Sequence, residues 1–90
     1  MPQISSFFGI TIYMYYAHGK HKEPYFHAKY QGYDASFSIK TLTLLSGHLP
    51  IKAKNLVQVW AFEHQLELLE NWDKIIKREP VKKIPGADCD

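Results

Sequence analysis

Cysteine is nearly absent from this chain of 90 residues, and its scarcity excludes several classes of protein. The single Cys89 cannot form an internal disulfide and supplies no zinc cluster, which is typical of a reducing compartment. The sequence has no apolar run long enough to cross a membrane and no basic region of the kind found in secretion signals. We therefore expect a cytoplasmic protein without a membrane span.

Motifs of the common enzyme classes are missing as well. There is no glycine-rich phosphate loop, no nucleophile elbow and no pair of catalytic carboxylates. His18, His21 and His27 follow a spacing that matches no common zinc site, so we expect neither a metal nor a cofactor. The formal net charge of +2 is too small to indicate nucleic-acid binding by itself.

Aromatic residues, by contrast, are abundant: six Tyr, five Phe and two Trp. A domain of this length has one modest core, so these rings are difficult to bury completely. We expect some of them to form an exposed patch, with Tyr13, Tyr15 and Tyr33 as candidates. Such a patch would favour a protein partner or a homo-oligomer.

The clearest structural pattern is a β-hairpin between residues 23 and 40. Two alternating runs flank Gln31-Gly32, which is read as a two-residue turn. With this register Phe26 faces Phe37 and Ala28 faces Ala35 on one apolar side. The other side carries polar residues: Tyr25, His27, Lys29, Asp34, Ser36 and Ser38.

The remaining pattern predicts an α+β fold. The run from Phe7 to Tyr16 is apolar on both faces, which is typical of a central strand, and Thr41–Ser46 is a further short strand. Pro50 precedes a helical pattern that continues from Ile51 to about Lys77. We expect a small, mostly antiparallel four-stranded sheet followed by one long amphipathic helix packed on it. Residues 1–79 would form a single domain, and residues 80–90 an extended C-terminal tail.

The helix pattern has a polar side and an apolar side. The solvated face is predicted to carry Lys52, Glu63, Glu67, Glu70, Lys74 and Lys77. His64 falls between Trp60 and Leu68 on the apolar side, where it is either a hydrogen-bonded core residue or a functional group against a hydrophobic wall.

His27 is the second histidine of interest, because the hairpin register places it on the polar side. A neutral imidazole beside Tyr25 and Lys29 suits general acid or base catalysis, whereas the simpler interpretation is an ordinary surface residue. We expect His27 to be solvent-accessible and His64 to be buried. If the helix covers the Phe26 side of the sheet, the two histidines lie on opposite sides, which disfavours one shared site.

Lysines interleaved with tyrosines suggest a small surface for RNA. Lys20, Lys22 and Lys29 lie among tyrosines that could stack on bases, and Lys52 and Lys54 would extend the surface. Scattered lysines more often serve only solubility, so this interpretation stays open.

Three segments resemble a small bacterial family of unknown function numbered 4160. Residues 1–15 match its opening M-P-x-I-S-x-F-x-G-I-x-I-x-M-Y, and residues 23–35 correspond to its segment P-P-H-F-H-A-x-Y-x-G-Y-x-A. The segment from Trp60 to Trp72 matches W-x-x-x-H-x-x-E-L-x-x-N-W, which includes His64. Two residues depart from the pattern: Tyr25 replaces the first histidine of H-F-H, and Glu23 replaces a proline.

The resemblance implies a place in a bacterial toxin–antitoxin-like pair, with a small protein encoded by a neighbouring gene as partner. We expect the RNA-directed toxin, a metal-independent endoribonuclease that uses His27, His64 and Tyr25 in general acid–base chemistry. The alternative is a non-enzymatic module, an antitoxin or adaptor, that binds a small partner through its aromatic surface. Convergence of His27 with a second titratable group in one concave site would favour the enzyme.

Overall fold

The computed structural model describes residues 3–15 and 23–88, and the described chain is an α+β fold. Its elements, in chain order, are β1 (Gln3–Phe7), β2 (Ile10–Tyr13), β3 (Tyr25–Tyr30), β4 (Tyr33–Ser38), β5 (Leu44–Gly47), α1 (Ile51–Glu63) and α2 (Gln65–Ile76). The strands form one five-stranded antiparallel sheet in the order β1-β2-β3-β4-β5. The predicted class is therefore confirmed, although the sheet has five strands instead of four and the helical region has two helices instead of one.

The β3–β4 hairpin has the predicted register. Phe26 pairs with Phe37, and every other predicted pair is also present. Both turn residues have positive φ, 45° at Gln31 and 84° at Gly32. This is the backbone pattern of a type I′ turn, whose twist matches that of the flanking strands. The division of the hairpin into an apolar and a polar side follows from this register.

The N-terminal region differs from the predicted single strand. The chain reverses at Phe8 and Gly9, so that β1 and β2 form a second hairpin, while Tyr16 lies outside the described residues. Phe8 and Gly9 have φ values of 51° and 77°. Because phenylalanine rarely adopts positive φ, the run Phe7–Ile10 gives no clear turn signal. The expected central position is confirmed for β2, which lies between β1 and β3.

The predicted strand Thr41–Ser46 begins three residues late, at Leu44. The chain is still turning at Leu42, which has a φ of 62° and donates its N–H to the Ser38 carbonyl at 2.9 Å. β5 therefore starts only after this turn is complete.

The predicted single helix is interrupted at His64. Its backbone has φ −117° and ψ 25°, outside the helical range, so α1 ends at Glu63 and α2 begins at Gln65. No glycine or proline marks this position, and hence the sequence pattern continues through it. The outer side of α1 is also less charged than predicted, because Leu56, Val59 and Phe62 are exposed there.

The hydrophobic core lies between the helices and the apolar side of the sheet. Trp60 is its largest fully buried side chain, with its ring 5.1 Å from that of Phe7 and 6.2 Å from that of Phe26. Phe26 stacks on Phe37 at 5.5 Å. The helices therefore cover the Phe26 side, and the polar side of the sheet faces away from them.

The segment after α2 packs back onto the domain. The Asn71 side chain donates to the Lys82 carbonyl and accepts from the Lys82 N–H, both at 2.8 Å. Ile84 is buried and donates its N–H to the Ile4 carbonyl at 2.9 Å, beside β1. Trp60 donates its indole N–H to the Pro85 carbonyl at 2.9 Å. Neither helix of the described chain has the length and apolar character needed to cross a bilayer.

Candidate functional site

The candidate site lies on the side of β2, β3 and β4 that faces away from α1, and the Tyr25 ring at one end of it reaches Trp72 of α2, with ring centroids 5.1 Å apart. We call this side the polar sheet face; it is formed by Tyr13, Tyr15, Tyr25, His27, Lys29, Asp34 and Ser36. Strand pairing arranges its centre in two rows, because Tyr13, His27 and Ser36 lie side by side and so do Thr11, Lys29 and Asp34. Side chains on one face of neighbouring strands contact one another, so each row brings polar groups together.

His27 is enclosed by aromatic rings. Its imidazole stacks on Tyr13 with ring centroids 5.2 Å apart, and it meets the edges of Tyr15 at 4.6 Å and Tyr25 at 5.3 Å. Only 16% of its side-chain surface is exposed. His27 is therefore less accessible than predicted, because the pairing of β2 with β3 places Tyr13 directly against it.

Asp34 connects the two rows. Its Oδ2 accepts a hydrogen bond from the Tyr13 hydroxyl at 2.9 Å, and its Oδ1 lies 3.8 Å from Nδ1 of His27. The second distance exceeds a hydrogen bond but is short enough for Coulombic attraction to a protonated imidazole, which solvent weakens because the Asp34 side chain is 48% exposed. Lys29 adds a positive charge, with Nζ 5.4 Å above the Tyr13 ring.

The two neighbouring phenols stay protonated near neutral pH. Burial raises the pKa of Tyr13 far above its ordinary value, and hydrogen bonds to Tyr15 and Asp34 raise it further. Burial also raises the pKa of Tyr25, with a smaller contribution from the negative charge that Tyr15 would carry. Tyr25 therefore cannot reproduce the titration of a histidine at its position. It can act as a neutral hydrogen-bond donor.

Two grooves open beside the His27–Asp34 pair. The first has a volume of about 490 Å³ and is lined by Tyr15, Glu23, Tyr25, His27, Ser36, Leu45 and Ser46. Part of its wall is fixed by a 3.0 Å hydrogen bond between the hydroxyls of Ser36 and Ser46. The second groove, of about 450 Å³, lies toward the hairpin turn and includes Lys29 and Asp34 in its lining. A ligand on this face would thus have His27 in one groove and Asp34 in the other.

His64 lies on the helical layer and takes no part in this arrangement. Its Nδ1 is 2.6 Å from Oε1 of Glu67, and its ring is 5.4 Å from that of Trp60. The side chain is 23% exposed, so it is less buried than predicted. Since Trp60 packs against the opposite side of β3 from His27, the two histidines do not share a site.

The predicted lysines are not gathered on one surface. Lys29 belongs to the polar sheet face, whereas Lys52 and Lys54 lie in the first turns of α1 on the other layer. Lys20 and Lys22 lie outside the described residues, as do His18 and His21. Across residues 3–15 and 23–88, no group of three or more His, Cys, Asp or Glu side chains could hold a metal ion.

Sequence reasoning missed Tyr13 and Tyr15 as partners of His27, and it gave Asp34 no role. The hairpin register did place Asp34 on the polar side, one strand away from His27. Tyr13 could have been found only from the pairing of β2 with β3, because these strands are connected through residues 14–24 and no local turn fixes their register. Tyr13, moreover, is buried and so does not belong to an exposed aromatic patch.

Fold and site together define a small α+β domain with a shielded histidine and a carboxylate on the sheet face opposite α1. The family model of DUF4160, a domain of unknown function, matches residues 9–73, which is more than half of the chain. The chain belongs to this family, as its sequence patterns indicated. No curated protein and no solved structure matches the chain in our comparisons.

Proposed function

We propose that this protein is the RNA-directed component of a bacterial toxin–antitoxin-like pair and cleaves RNA by general acid–base catalysis at His27. The observation that supports this proposal is the approach of His27 Nδ1 to within 3.8 Å of Asp34 Oδ1, between two neighbouring grooves of the polar sheet face. A shielded imidazole 3.8 Å from a carboxylate has a partner that stabilises the positive charge it gains on taking a proton. A histidine alone on a solvated strand would have supported an adaptor instead.

The proposed step needs no metal. His27 takes the proton of a ribose 2′-hydroxyl, and the 2′-oxygen attacks the adjacent phosphorus. The bond from phosphorus to the 5′-oxygen breaks, and the leaving oxygen receives a proton from the imidazolium or from water. The products are a 2′,3′-cyclic phosphate and a 5′-hydroxyl. General catalysis of this kind contributes about 10²–10⁴-fold to a rate.

Other residues of the polar sheet face have positioning and binding roles in this proposal. Asp34 orients the imidazole and stabilises its charged form. Lys29 supplies positive charge for the phosphate backbone, and Tyr25, as a neutral donor, offers a hydrogen bond to a phosphate oxygen. Tyr15 and Tyr25 also present ring surface to an unstacked base in the first groove.

A paired growth and product assay tests the proposal. The wild-type chain should slow bacterial growth when it is expressed alone, and co-expression of the protein encoded by the neighbouring gene should relieve the effect. Purified protein should cut single-stranded RNA in the presence of a chelator and leave 2′,3′-cyclic phosphate ends. His27→Ala and Asp34→Asn should each lose both effects, whereas His64→Ala should keep them. RNA left intact by well-folded wild-type protein would contradict the proposal.

The second candidate is a non-enzymatic adaptor or antitoxin. Its supporting observation is the apolar outer side of α1, where Val59 and Phe62 are 61% and 70% exposed. A protein that acts in this way should bind its neighbour's product without cutting RNA, and His27→Ala should leave binding unchanged. The same set of variants thus separates the two functions.

A further inference from the structure

The outer face of α1 carries an exposed apolar stripe that no described part of the chain covers. α1 packs on the sheet through Val57 and Trp60, and these side chains are buried. On its other side Leu56, Val59 and Phe62 are 38%, 61% and 70% exposed. Apolar side chains in a contiguous exposed row indicate an interaction surface when a partner of matching shape and charge can be identified.

A charged residue lies at each end of the stripe. At 100° per residue, Lys52, Leu56, Val59 and Glu63 fall within an arc of about 60° on α1. Lys52 is the second residue of the helix and Glu63 the last, so the face is positive at its start and negative at its end. They are about 16 Å apart along the axis.

Both charges are placed unfavourably for an isolated helix. The first turn of α1 has no acidic residue and its last turn has no basic residue. A cation near the N-terminus and an anion near the C-terminus oppose the helix dipole, which costs some tenths of a kcal/mol each at an exposed site. A second copy of α1 that lies antiparallel on this face would give both charges a favourable partner, because it would bring a carboxylate to Lys52 and an ammonium group to Glu63.

We propose that α1 is a homodimer interface in which a second copy of this chain packs antiparallel on the outer face. In such a two-fold arrangement Lys52 of one copy lies opposite Glu63 of the other, and Leu56 lies opposite Val59. The two pairs are compatible, since both share the midpoint between Val57 and Gln58. The interface is therefore complementary to itself in charge and in apolar pattern, as a two-fold contact requires.

An apolar groove on the same face fits this arrangement. It has a volume of about 360 Å³ and is lined by Lys52, Asn55, Leu56 and Val59. Antiparallel packing places Phe62 of the second copy beside Lys52 and Asn55, where its ring can enter the groove. Each copy thus offers one aromatic side chain and receives one, and buried aromatic anchors of this kind often dominate the affinity of an interface.

Such a dimer leaves the candidate site accessible. α1 lies on the apolar side of the sheet, so its outer face and the polar sheet face point in opposite directions. The two polar sheet faces would lie on opposite outer sides of the dimer. The inference is therefore independent of the proposed RNA cleavage, and neither depends on the success of the other.

Charge reversal provides the test, with mass measured by sedimentation equilibrium from micromolar to millimolar concentration. Wild-type protein should form dimers, and Lys52→Glu or Glu63→Lys should each weaken dimerisation at least about tenfold because like charges then face each other twice. An equimolar mixture of the two single variants should form a mixed dimer, since each introduced charge then meets an opposite one. The double variant should likewise recover dimers.

Apolar variants supply the matched controls. Val59→Asp should abolish dimers, whereas Ile76→Asp, at a comparably exposed position near the end of α2, should leave them intact. Circular dichroism should show all variants folded. A wild-type chain that stays monomeric throughout, including one that forms only a complex with its neighbour's product, would overturn the inference. Dimers of the Val59→Asp variant would also contradict the inference. So would the absence of a mixed dimer when Lys52→Glu and Glu63→Lys are combined.

Discussion

The hydroxyl of Tyr13 on β2 donates a 2.9 Å hydrogen bond to Asp34 on β4 and so spans the intervening strand. His27 lies on that intervening strand, stacked under the Tyr13 ring and 3.8 Å from the same carboxylate. The Tyr13–Asp34 hydrogen bond therefore holds the carboxylate beside the imidazole. Its donor lies on β2, which is not part of the β3–β4 hairpin. The pKa of Tyr13 is raised mainly because burial disfavours the phenolate, and its hydrogen bonds to Tyr15 and Asp34 raise it further.

The first prediction concerns the stability of the protein at alkaline pH. The pKa of Tyr13 is raised above its ordinary 10.0 in the folded protein. The unfolded phenol thus ionises first as pH rises, and the free energy of unfolding falls above pH 10. Tyr13→Phe removes this contribution, so the stability difference between wild type and variant should be largest below pH 10 and shrink above it.

Chemical denaturation at about pH 8 and about pH 11 measures this difference. At the lower pH the variant should lose about 0.5–1.5 kcal/mol, the usual net value of one hydrogen bond. Tyr33→Phe is the control, because Tyr33 is exposed and should change stability by less than about 0.5 kcal/mol at either pH. A constant difference across this range would contradict the assigned bond.

A second prediction concerns Gly47, which packs closely against the backbone of Asp34 and Ala35. Gly47 has a φ of 81°, and a Cβ built on it would overlap the Asp34 carbonyl oxygen and lie 2.8 Å from Cα of Ala35. Gly47→Ala must therefore displace β5 from β4, and we expect a loss of more than about 3 kcal/mol. Gly32 has a similar φ of 84° with nothing within 4 Å, so Gly32→Ala should cost only the strain of about 1–2 kcal/mol. Equal losses in thermal denaturation would show that crowding at Gly47 is absent.

The third prediction concerns the segment after α2. The buried Asn71 amide makes two hydrogen bonds with the Lys82 backbone, each 2.8 Å long. Asn71→Ala should lower stability by about 1–3 kcal/mol, because Lys82 loses both partners. Limited proteolysis should then cut residues 80–88 faster. Glu70→Ala, at an exposed position of α2, is the control and should leave the cleavage rate unchanged. Equal rates in wild type and Asn71→Ala would contradict this role.

Structural features that depend on residues close in the chain could be predicted from the sequence, and those that depend on distant residues could not. The β3–β4 register was predictable, because alternation and a two-residue turn fix it within a few residues. The Phe8-Gly9 turn was not, since phenylalanine carries no turn signal. The break at His64 was not predictable either, because no glycine or proline marks it in the sequence. Long periodic segments thus predicted helix or strand correctly, but they did not show where an element is interrupted.

The site illustrates the same limit. The hairpin pattern placed His27, Lys29 and Asp34 on one face, and this part of the candidate site was available from the sequence. Tyr13 approaches His27 only because β2 pairs with β3, a contact that no neighbouring turn determines. The shielding of His27 is therefore a tertiary property. The sequence predicts which side chains share one face of a hairpin, but it does not predict which side chain of a neighbouring strand contacts them.

The fourth prediction revises the structural roles of the two histidines. His27 contacts three tyrosine rings, so His27→Ala should cost about 1–2 kcal/mol instead of leaving stability unchanged. His64 is paired mainly with Glu67 at the surface, and His64→Ala should cost at most about 1 kcal/mol. Thermal denaturation compares them, and His64→Phe controls for lost volume. A silent His27→Ala would show that the aromatic enclosure contributes nothing.

The most direct test of the central claim is the rate of RNA cleavage by His27→Gln beside that of His64→Gln, each assayed below its melting temperature. Glutamine keeps the polarity and much of the size of histidine but cannot exchange protons near neutral pH. We predict that His27→Gln loses about 10²-fold or more in single-turnover rate, and that His64→Gln stays within about threefold of wild type. Equal rates for His27→Gln and wild type, or a larger loss at His64, would contradict the assignment of catalysis to the polar sheet face.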